Sequence, residues 1–270
     1  FFWDKIRTFG LLAAFVKHLV EALSFVTKKE FILATNDGSG ADKVVSRLFD
    51  SRSPPYDFYY WKNGVARIEL SMAEQDELNL KYPHGEFIFY CARFDQWKRQ
   101  DRIVNILSLL KERGVIIKAL FAGPFDTLGD SYFKSVKALA EEKGVLEQCV
   151  FLGNIPKKDI FYLNRQALAS LSLNDVCNLT SVFHEMLSSG ALIIAKKEKD
   201  VAEYIDSGVN GFLIDNDRAA VDLIMEVIEA PNNYESLRAA AMKVSRLKTV
   251  SWEERSLEEI KLIESYVKNV

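Results

Sequence analysis

Short apolar segments alternate with longer amphipathic segments along most of this chain. Strands are predicted at 31–35, 58–61, 87–91, 116–121, 149–152, 167–173, 191–195 and 211–214. Helices are predicted at 42–49, 72–79, 100–113, 130–143, 157–164, 181–189, 201–207, 217–229, 234–246 and 252–267. Several strand segments are apolar without alternation, which is typical of parallel strands that are covered on both faces. The repeated β–α order therefore predicts an α/β fold with a doubly wound parallel sheet.

One proline pair divides the chain unevenly. Ser53-Pro54-Pro55 is the best candidate linker, because the prolines end the preceding helix and stiffen the chain. Roughly 54 residues precede the linker, which is too few for an independent core. The chain also starts without Met, inside a segment of helical pattern. We therefore expect a piece of a longer protein, with one complete domain after the linker.

Composition indicates an ordinary globular protein and excludes several classes of function. Hydrophobic residues make up 49%, charged residues 27% and the formal net charge is -3, so no overall attraction to nucleic acid or acidic membranes is expected. Cys91, Cys149 and Cys177 are widely spaced, which argues against a disulfide scaffold and favours a reducing cytoplasm. The apolar stretch 9–26 is interrupted by charged side chains and predicts an amphipathic or buried helix. No Cys/His cluster or HExxH motif occurs, so neither metal nor cofactor is expected.

Two cations follow the predicted strand at 87–91, and ligands bind beyond the carboxyl ends of the strands in a doubly wound sheet. Arg93 offers a planar guanidinium fork, and Lys98 offers a point charge five residues later. Both groups suit a diphosphate at the mouth of a strand-to-helix turn. The alternative is a solvated pair of cations beside a turn.

A second anion site is predicted after the strand at 167–173. Thr180 or Ser181 can cap the helix that begins there, and the free amides of a helix N-terminus bind anions. Glu185 lies about one turn into this helix, where it is placed to reach the ribose hydroxyls of a nucleotide. The alternative is a surface glutamate that the helix dipole favours.

Glycines follow two further strands at the same predicted edge. Gly123-Pro124 and Gly153-Asn154-Ile155-Pro156 allow the backbone to approach a ligand, although simple turn geometry explains them equally well. Asn36-Asp37-Gly38-Ser39-Gly40 is also glycine-rich. It lacks both the GxGxxG spacing and the lysine of a phosphate-binding loop, so it predicts a helix-capping turn.

Six motifs follow one another along about residues 55–270. They are Asn63-Gly64-Val65, Arg93 through Lys98, Ala122-Gly123-Pro124, Phe151 through Ile155, Glu203-Tyr204-Ile205 with Asn210-Gly211-Phe212, and Ser251-Trp252-Glu253. Taken in this order, they resemble the motifs of retaining GT-B glycosyltransferases of group 1, family 4. Each motif is weak alone, but their shared order and spacing are specific. The resemblance implies a GT-B fold in which 1–54 end a truncated N-terminal acceptor domain, 55–247 form a Rossmann-like donor domain and 248–270 cross back.

The resemblance also implies roles for single residues. Arg93, Lys98 and Glu185 are implied as catalytic residues: the two cations hold the donor diphosphate and stabilise the leaving group, and Glu185 binds ribose. Donor-binding positions are implied at Gly123, Gly153, Asn154, Ile155, Cys177, Asn178, Leu179, Thr180 and Ser181. Among these, the amides of 179–181 would cap the phosphate and 153–155 would border the base. The family works without a bound metal.

The implied activity is transfer of a sugar, with retention, from a UDP-, GDP- or ADP-sugar to a sugar or glycolipid acceptor. Bacterial cell-surface polysaccharide or glycolipid biosynthesis in the cytoplasm, at the inner face of the membrane, is the expected setting. Membrane association would use the N-terminal part that this chain lacks. The acceptor site also lies largely in that part, so we expect the isolated chain to bind nucleotide sugar without transferring it.

Two departures from the family pattern leave alternatives open. Cys177 stands eight residues before Glu185, where the family has a glutamate that contacts the transferred sugar. This exchange motivates a second interpretation, a non-catalytic nucleotide-sugar-binding or assembly module; another Rossmann enzyme such as an epimerase or phosphorylase is a third. Lys196-Lys197-Glu198-Lys199 replaces the common Gly-Gly. This segment is either a solvated loop or an extra contact to donor or acceptor.

Overall fold

A computed structural model describes residues 6, 10–38, 40–50, 52–82, 86–125, 131–176 and 178–267, without the side chains of Phe15 and Glu21. Cys177 lies outside the described residues. The chain divides into two compact units. The larger unit comprises Ala66–Asn178 and Val182–Lys248, and the smaller unit comprises Phe1–Val65, Leu179–Ser181 and Thr249–Val270.

The larger unit contains a parallel sheet of six strands, which confirms the predicted doubly wound α/β fold. Its strands are β4 (Phe87–Cys91), β5 (Lys118–Ala122), β6 (Cys149–Gly153), β7 (Ala169–Ser172), β8 (Ile193–Lys196) and β9 (Phe212–Ile214). Its helices are α4 (Met72–Lys81), α5 (Gln100–Glu112), α6 (Ser131–Glu142), α7 (Lys157–Gln166), α8 (Ser181–Ser189), α9 (Asp217–Glu229) and α10 (Glu235–Lys248). The first residue of α8 is grouped with the smaller unit.

The order of the strands places a switch point in the middle of this sheet. The order is β6-β5-β4-β7-β8-β9. The chain therefore adds β5 and then β6 on one side of β4, and β7 pairs with the other side of β4. The connections after β4 and after β7 therefore diverge, which opens a crevice beyond the carboxyl ends of these two strands. Ligands of doubly wound sheets bind at such a crevice.

The central strands are buried on both faces because their side chains are apolar. Ile88 and Phe89 of β4 are fully buried on opposite faces, because successive residues of a strand point to opposite sides. Ile88 belongs to the core beneath α5, α6 and α9, and Phe89 belongs to a second core beneath α4 and α7. Covering both faces removes the polar alternation that a half-exposed strand would show.

The predicted helix at 201–207 is wrong. Only Val201–Glu203 forms a short 3-10 helix. Asn210 interrupts the helix, because its side-chain carbonyl accepts from the Asp206 amide at 2.7 Å and its Nδ2 donates to the Tyr204 carbonyl at 2.8 Å. A side chain that captures local backbone groups competes with the helix for them.

The smaller unit contains two small parallel sheets. Its elements are α1 (Leu11–Lys17), α2 (Leu19–Val26), β1 (Phe31–Thr35), α3 (Ala41–Phe49), β2 (Asp57–Trp61), β3 (Gly64–Val65), β10 (Val250–Ser251) and α11 (Trp252–Val267). Strand β1 pairs with β2, and β3 pairs with β10. Arg255 of α11 stacks on Trp61 and donates from Nε to the Lys62 carbonyl at 2.9 Å. These contacts attach α11 to the end of β2.

The helices within the described ranges are too short or too polar to cross a lipid bilayer.

Candidate functional site

The predicted site residues of the larger unit follow consecutive strands at the carboxyl edge of the six-stranded sheet. Arg93 and Lys98 follow β4, and Gly123 follows β5. Gly153 ends β6, and Asn178 follows β7. Parallel strands end at one edge, so the fold brings these positions to the same side of the molecule. Leu179 and Thr180 directly precede α8, and Ser181 is its first residue.

Arg93 extends from the turn after β4 into solvent. Its side chain is 61% exposed and contacts only a nearby carboxylate in the described structure, with 3.0 Å between Nη2 and Asp95 Oδ2. Asp95 also accepts from the Trp97 amide at 3.0 Å and so caps the short 3-10 helix Gln96–Lys98. Lys98 is half-buried at the end of this 3-10 helix. The turn therefore presents two cations on a locally rigid backbone.

Gly123 allows the turn after β5 to lie directly against the turn after β4. Its φ is +134°, and a Cβ there would collide with the Ala92 carbonyl and stand 2.9 Å from the Arg93 nitrogen. The Gly123 amide donates to the Gly153 carbonyl at 2.8 Å, which joins the ends of β5 and β6. Both effects align the strand ends that carry the predicted ligand-binding residues.

Glu185 is a buried carboxylate that forms an ion pair at this edge. Its side chain is 4% exposed, and its Oε1 lies 2.8 Å from Lys157 Nζ in the first turn of α7. Burial and the nearby charge of Glu185 raise the pKa of Cys91, the last residue of β4, to about 12. Cys91 therefore remains a neutral thiol near neutral pH.

Lys157 was missed as a candidate by the sequence reasoning. The signal was present, since Lys157-Lys158 begins a helix directly after Gly153-Asn154-Ile155-Pro156. Nothing in the local sequence indicates its partner, because Glu185 lies 28 residues away. Of the three residues predicted to border the base, Asn154 is exposed, whereas Gly153 and Ile155 are half-buried.

The loop after β7 is held by the side-chain amide of Asn178. This residue is 2% exposed, and its Nδ2 donates to the Asn174 carbonyl at 2.9 Å and to Glu198 Oε2 at 2.8 Å. Its Oδ1 accepts from Ser172 Oγ at 3.4 Å. Asn178 was predicted to bind the donor, but its side chain is occupied by protein partners. Cys177 was predicted beside it and lies outside the described residues.

A second charged network joins the turn after β4 to the loop after β7. Arg99 contacts Asp101 and Asp175, each at 3.0 Å, and the Asp175 amide donates to the Trp97 carbonyl at 2.9 Å. Burial raises the pKa of Asp101, but hydrogen bonds from Arg99 and Tyr132 outweigh it, so this pKa lies below its usual value. Asp101 therefore stays ionised and holds Arg99 across the switch point.

A groove of about 470 Å³ adjoins this network. It is lined by Gln96, Trp97, Arg99, Asp101, Tyr132, Ser135 and Asp175. A cavity of about 290 Å³ is better enclosed, but it is lined largely by the C-terminal halves of α7 and α8. Because these helices begin at the site and run away from it, that cavity lies outside the crevice.

The site offers cations for an anionic ligand and a buried carboxylate for hydroxyl groups. Within the described ranges, His, Cys, Asp and Glu side chains form no group of three or more that could hold a metal ion.

Comparisons with known proteins identify the family and the fold. The sequence matches the family model described as Glycosyl transferases group 1 over residues 71–244. No curated protein is significantly similar to the chain in sequence.

The fold is shared by several solved glycosyltransferase structures. HepE from Anabaena, in complex with UDP and glucose, superposes with a TM-score of 0.69 at 16% identity over 86% of this chain. Sucrose-phosphate synthase from Thermosynechococcus elongatus gives 0.75 at 15% identity over 94%. A glycosyltransferase from Rickettsia africae gives 0.65 at 16% identity over 95%. The chain spans 63%, 62% and 68% of the lengths of these three proteins.

Proposed function

Because this chain belongs to the group 1 glycosyltransferases, we propose that it supplies the nucleotide-sugar donor site of a retaining, family 4 sugar transferase. The observation that carries the proposal is the position of Arg93 and Lys98. Both follow β4 at the switch point, and the buried carboxylate of Glu185 lies on the helix that follows β7, the strand paired with β4. HepE, which shares the fold, was solved with UDP and glucose.

The diphosphate of the donor would lie against Arg93 and Lys98. Negative charge grows on the departing diphosphate as the bond to the sugar breaks, and fixed cations stabilise this charge in the transition state. The amides at the start of α8 supply further positive potential. These groups together stabilise the negative charge that a divalent metal stabilises in other transferases, so no metal is required.

Glu185 would accept hydrogen bonds from the ribose hydroxyls. Lys157 orients this carboxylate through its 2.8 Å contact, at a position where the Glu185 side chain is only 4% exposed. Lys157 itself is 55% exposed, so it remains accessible to a phosphate or base. We assign it as a positioning residue for Glu185.

The acceptor is proposed to be a sugar or glycolipid hydroxyl that attacks from the face on which the diphosphate leaves, which retains the anomeric configuration. A role in bacterial cell-surface polysaccharide or glycolipid synthesis, on the cytoplasmic side of the membrane, fits this chemistry.

A second candidate function follows from Cys177, which stands where the family has a glutamate. This is a nucleotide-sugar-binding module without transfer activity.

Calorimetric titration of the chain with UDP, GDP and ADP tests the donor site. We expect micromolar affinity for one diphosphate, and a loss of about tenfold or more in Arg93→Ala and Lys98→Ala, since a charge-assisted hydrogen bond contributes about 1.5–3 kcal/mol. Lys118→Ala is the matched control, because Lys118 is an exposed cation at the opposite end of β5. Absence of binding to all three diphosphates, or an equal loss in the control, would contradict the proposal.

A further inference from the structure

Glu198 is a carboxylate whose two oxygens are each held by a different side chain. Its Oε2 accepts from Asn178 Nδ2 at 2.8 Å, and its Oε1 lies 3.2 Å from Lys196 Nζ. It follows β8, the neighbour of β7, at the carboxyl edge of the larger unit. The side chain is 30% exposed, so the carboxylate is fixed in orientation but open to solvent on one side.

The groups that hold Glu198 are themselves fixed. Asn178 is almost fully buried, and its amide also bonds the Asn174 carbonyl and Ser172 Oγ. Lys196 is the last residue of β8 and lies 3.7 Å from Asp175 on its other side. A carboxylate held by such partners loses little rotamer entropy when a ligand binds. A glutamate in a solvated loop would not be held in one orientation by two such partners.

The free capacity of the carboxylate determines the kind of ligand it accepts. Each carboxylate oxygen has two lone pairs, and one pair per oxygen is used by Asn178 or Lys196. The remaining pairs only accept hydrogen bonds, so they suit hydroxyl groups. A diphosphate offers no donors and would be repelled by the negative charge. A neutral polyhydroxyl group therefore fits the free lone pairs of Glu198.

We propose that Glu198 binds hydroxyl groups of the transferred sugar, with Asn178 and Lys196 as its positioning residues. This inference rests on the proposed donor site, because it needs a nucleotide sugar whose diphosphate lies on the cations after β4. Glu185 is assigned to the ribose, and Asp101 and Asp175 are held by the guanidinium of Arg99, so Glu198 is a preorganised carboxylate available to the sugar at this edge of the described structure. The residue would then determine which sugar the site accepts.

Calorimetry of Glu198→Gln distinguishes sugar binding from a structural role. UDP, GDP and ADP are titrated beside UDP-glucose, UDP-N-acetylglucosamine, GDP-mannose and ADP-glucose. We expect the affinity for the preferred nucleotide sugar to fall about tenfold, the loss of one charge-assisted hydrogen bond, while the affinity for its bare diphosphate changes less than twofold. Glu203→Gln is the matched control, since Glu203 is an exposed carboxylate five residues along the same segment.

Deoxy analogues of the preferred sugar nucleotide identify the hydroxyl. Removing the hydroxyl that Glu198 binds should weaken the wild-type chain about tenfold and leave Glu198→Gln unchanged, because the interaction is already absent. If Glu198→Gln does not fold, Glu198→Asp replaces it in the titrations, because it keeps the charge. Glu198→Asp should also lower the affinity for the nucleotide sugar and leave the affinity for the bare diphosphate nearly unchanged. Equal losses for sugar conjugate and diphosphate would overturn this inference alone. A wild-type chain that binds no nucleotide at all would overturn the proposed function and this inference together.

Discussion

At the scale of single residues, Gly123 shows how a turn that looks ligand-related can serve the fold itself. Its small size was predicted to admit a ligand to the backbone. In the structure the close neighbour is the chain, since the Ala92 carbonyl occupies the space of a Cβ. Gly153 ends the next strand along the sheet edge at a φ of +67°, and a Cβ there would point into open space. Gly153 therefore requires only a backbone conformation that favours glycine, whereas Gly123 also requires the absence of a side chain.

Alanine at these two positions should destabilise the protein to different extents. Gly153→Ala should lower the free energy of unfolding by about 1 kcal/mol, the cost of a left-handed conformation. Gly123→Ala should cost about 2–4 kcal/mol, because a φ of +134° and a collision with backbone add together. Urea denaturation measures both values. Equal losses would mean that the β4 turn moves aside at little cost.

At the scale of elements, several helices begin with the side-chain caps that stop them from fraying. Ser71 and Glu74 form a capping box at the start of α4, and hydrogen bonds from the Ser71 backbone and hydroxyl lower the pKa of Glu74. Asn216 caps α9 by accepting from the Ala219 amide at 3.1 Å. Arg102 of α5 then pairs with Asp217 in the first turn of α9, which fixes one helix against the other. Local capping and tertiary pairing thus act on the same helix end.

Removing the Asn216 cap tests this assignment. Asn216→Ala should lower the free energy of unfolding by about 1 kcal/mol, because the Ala219 amide loses its partner. Asn216→Ser can still accept from that amide and should stay within a few tenths of a kcal/mol of the wild type. Thermal or urea unfolding of the two variants provides the comparison. A similar loss in both would show that the amide side chain has another role.

At the scale of the whole molecule, the two units differ in how well they bury their sheets. Strand β4 is buried along most of its length, whereas every residue of β1 is only half-buried. The described buried hydrophobic residues of the smaller unit are Ile6, Ala14, Ala22, Val44, Val45, Tyr56, Val65 and Leu179. Parallel sheets depend on cover from both sides, so the β1–β2 pair has less to stabilise it.

Hydrogen exchange should report this difference. The β1–β2 and β4–β5 pairs form a matched comparison, since each is parallel with five paired positions. We expect the amides of β1 and β2 to exchange at least roughly tenfold faster than those of β4 and β5, because local opening exposes less apolar surface there. Mass spectrometry of peptic peptides measures the rates. Equal protection would indicate that the chain opens as one cooperative unit.

The pattern of residues along the chain predicts the kind of fold and the positions of its main chemical groups. Short apolar segments, several of them without alternation, predicted all six strands of the larger sheet to within about two residues, because burial on both faces leaves a local signature. The same pattern predicted that the cations Arg93 and Lys98 come directly after a strand, which is β4. The two-residue strands β3 and β10 were missed, because so short a segment carries no period.

The contacts between these groups depend on the folded chain. The order β6-β5-β4-β7-β8-β9 creates the switch point, and that order depends on pairing between strands far apart in the chain. Glu185 meets Lys157 across 28 residues, and Glu198 meets Asn178 across 20. Periodicity reports how a segment is buried but not what it is buried against, so these partners followed only from the folded chain.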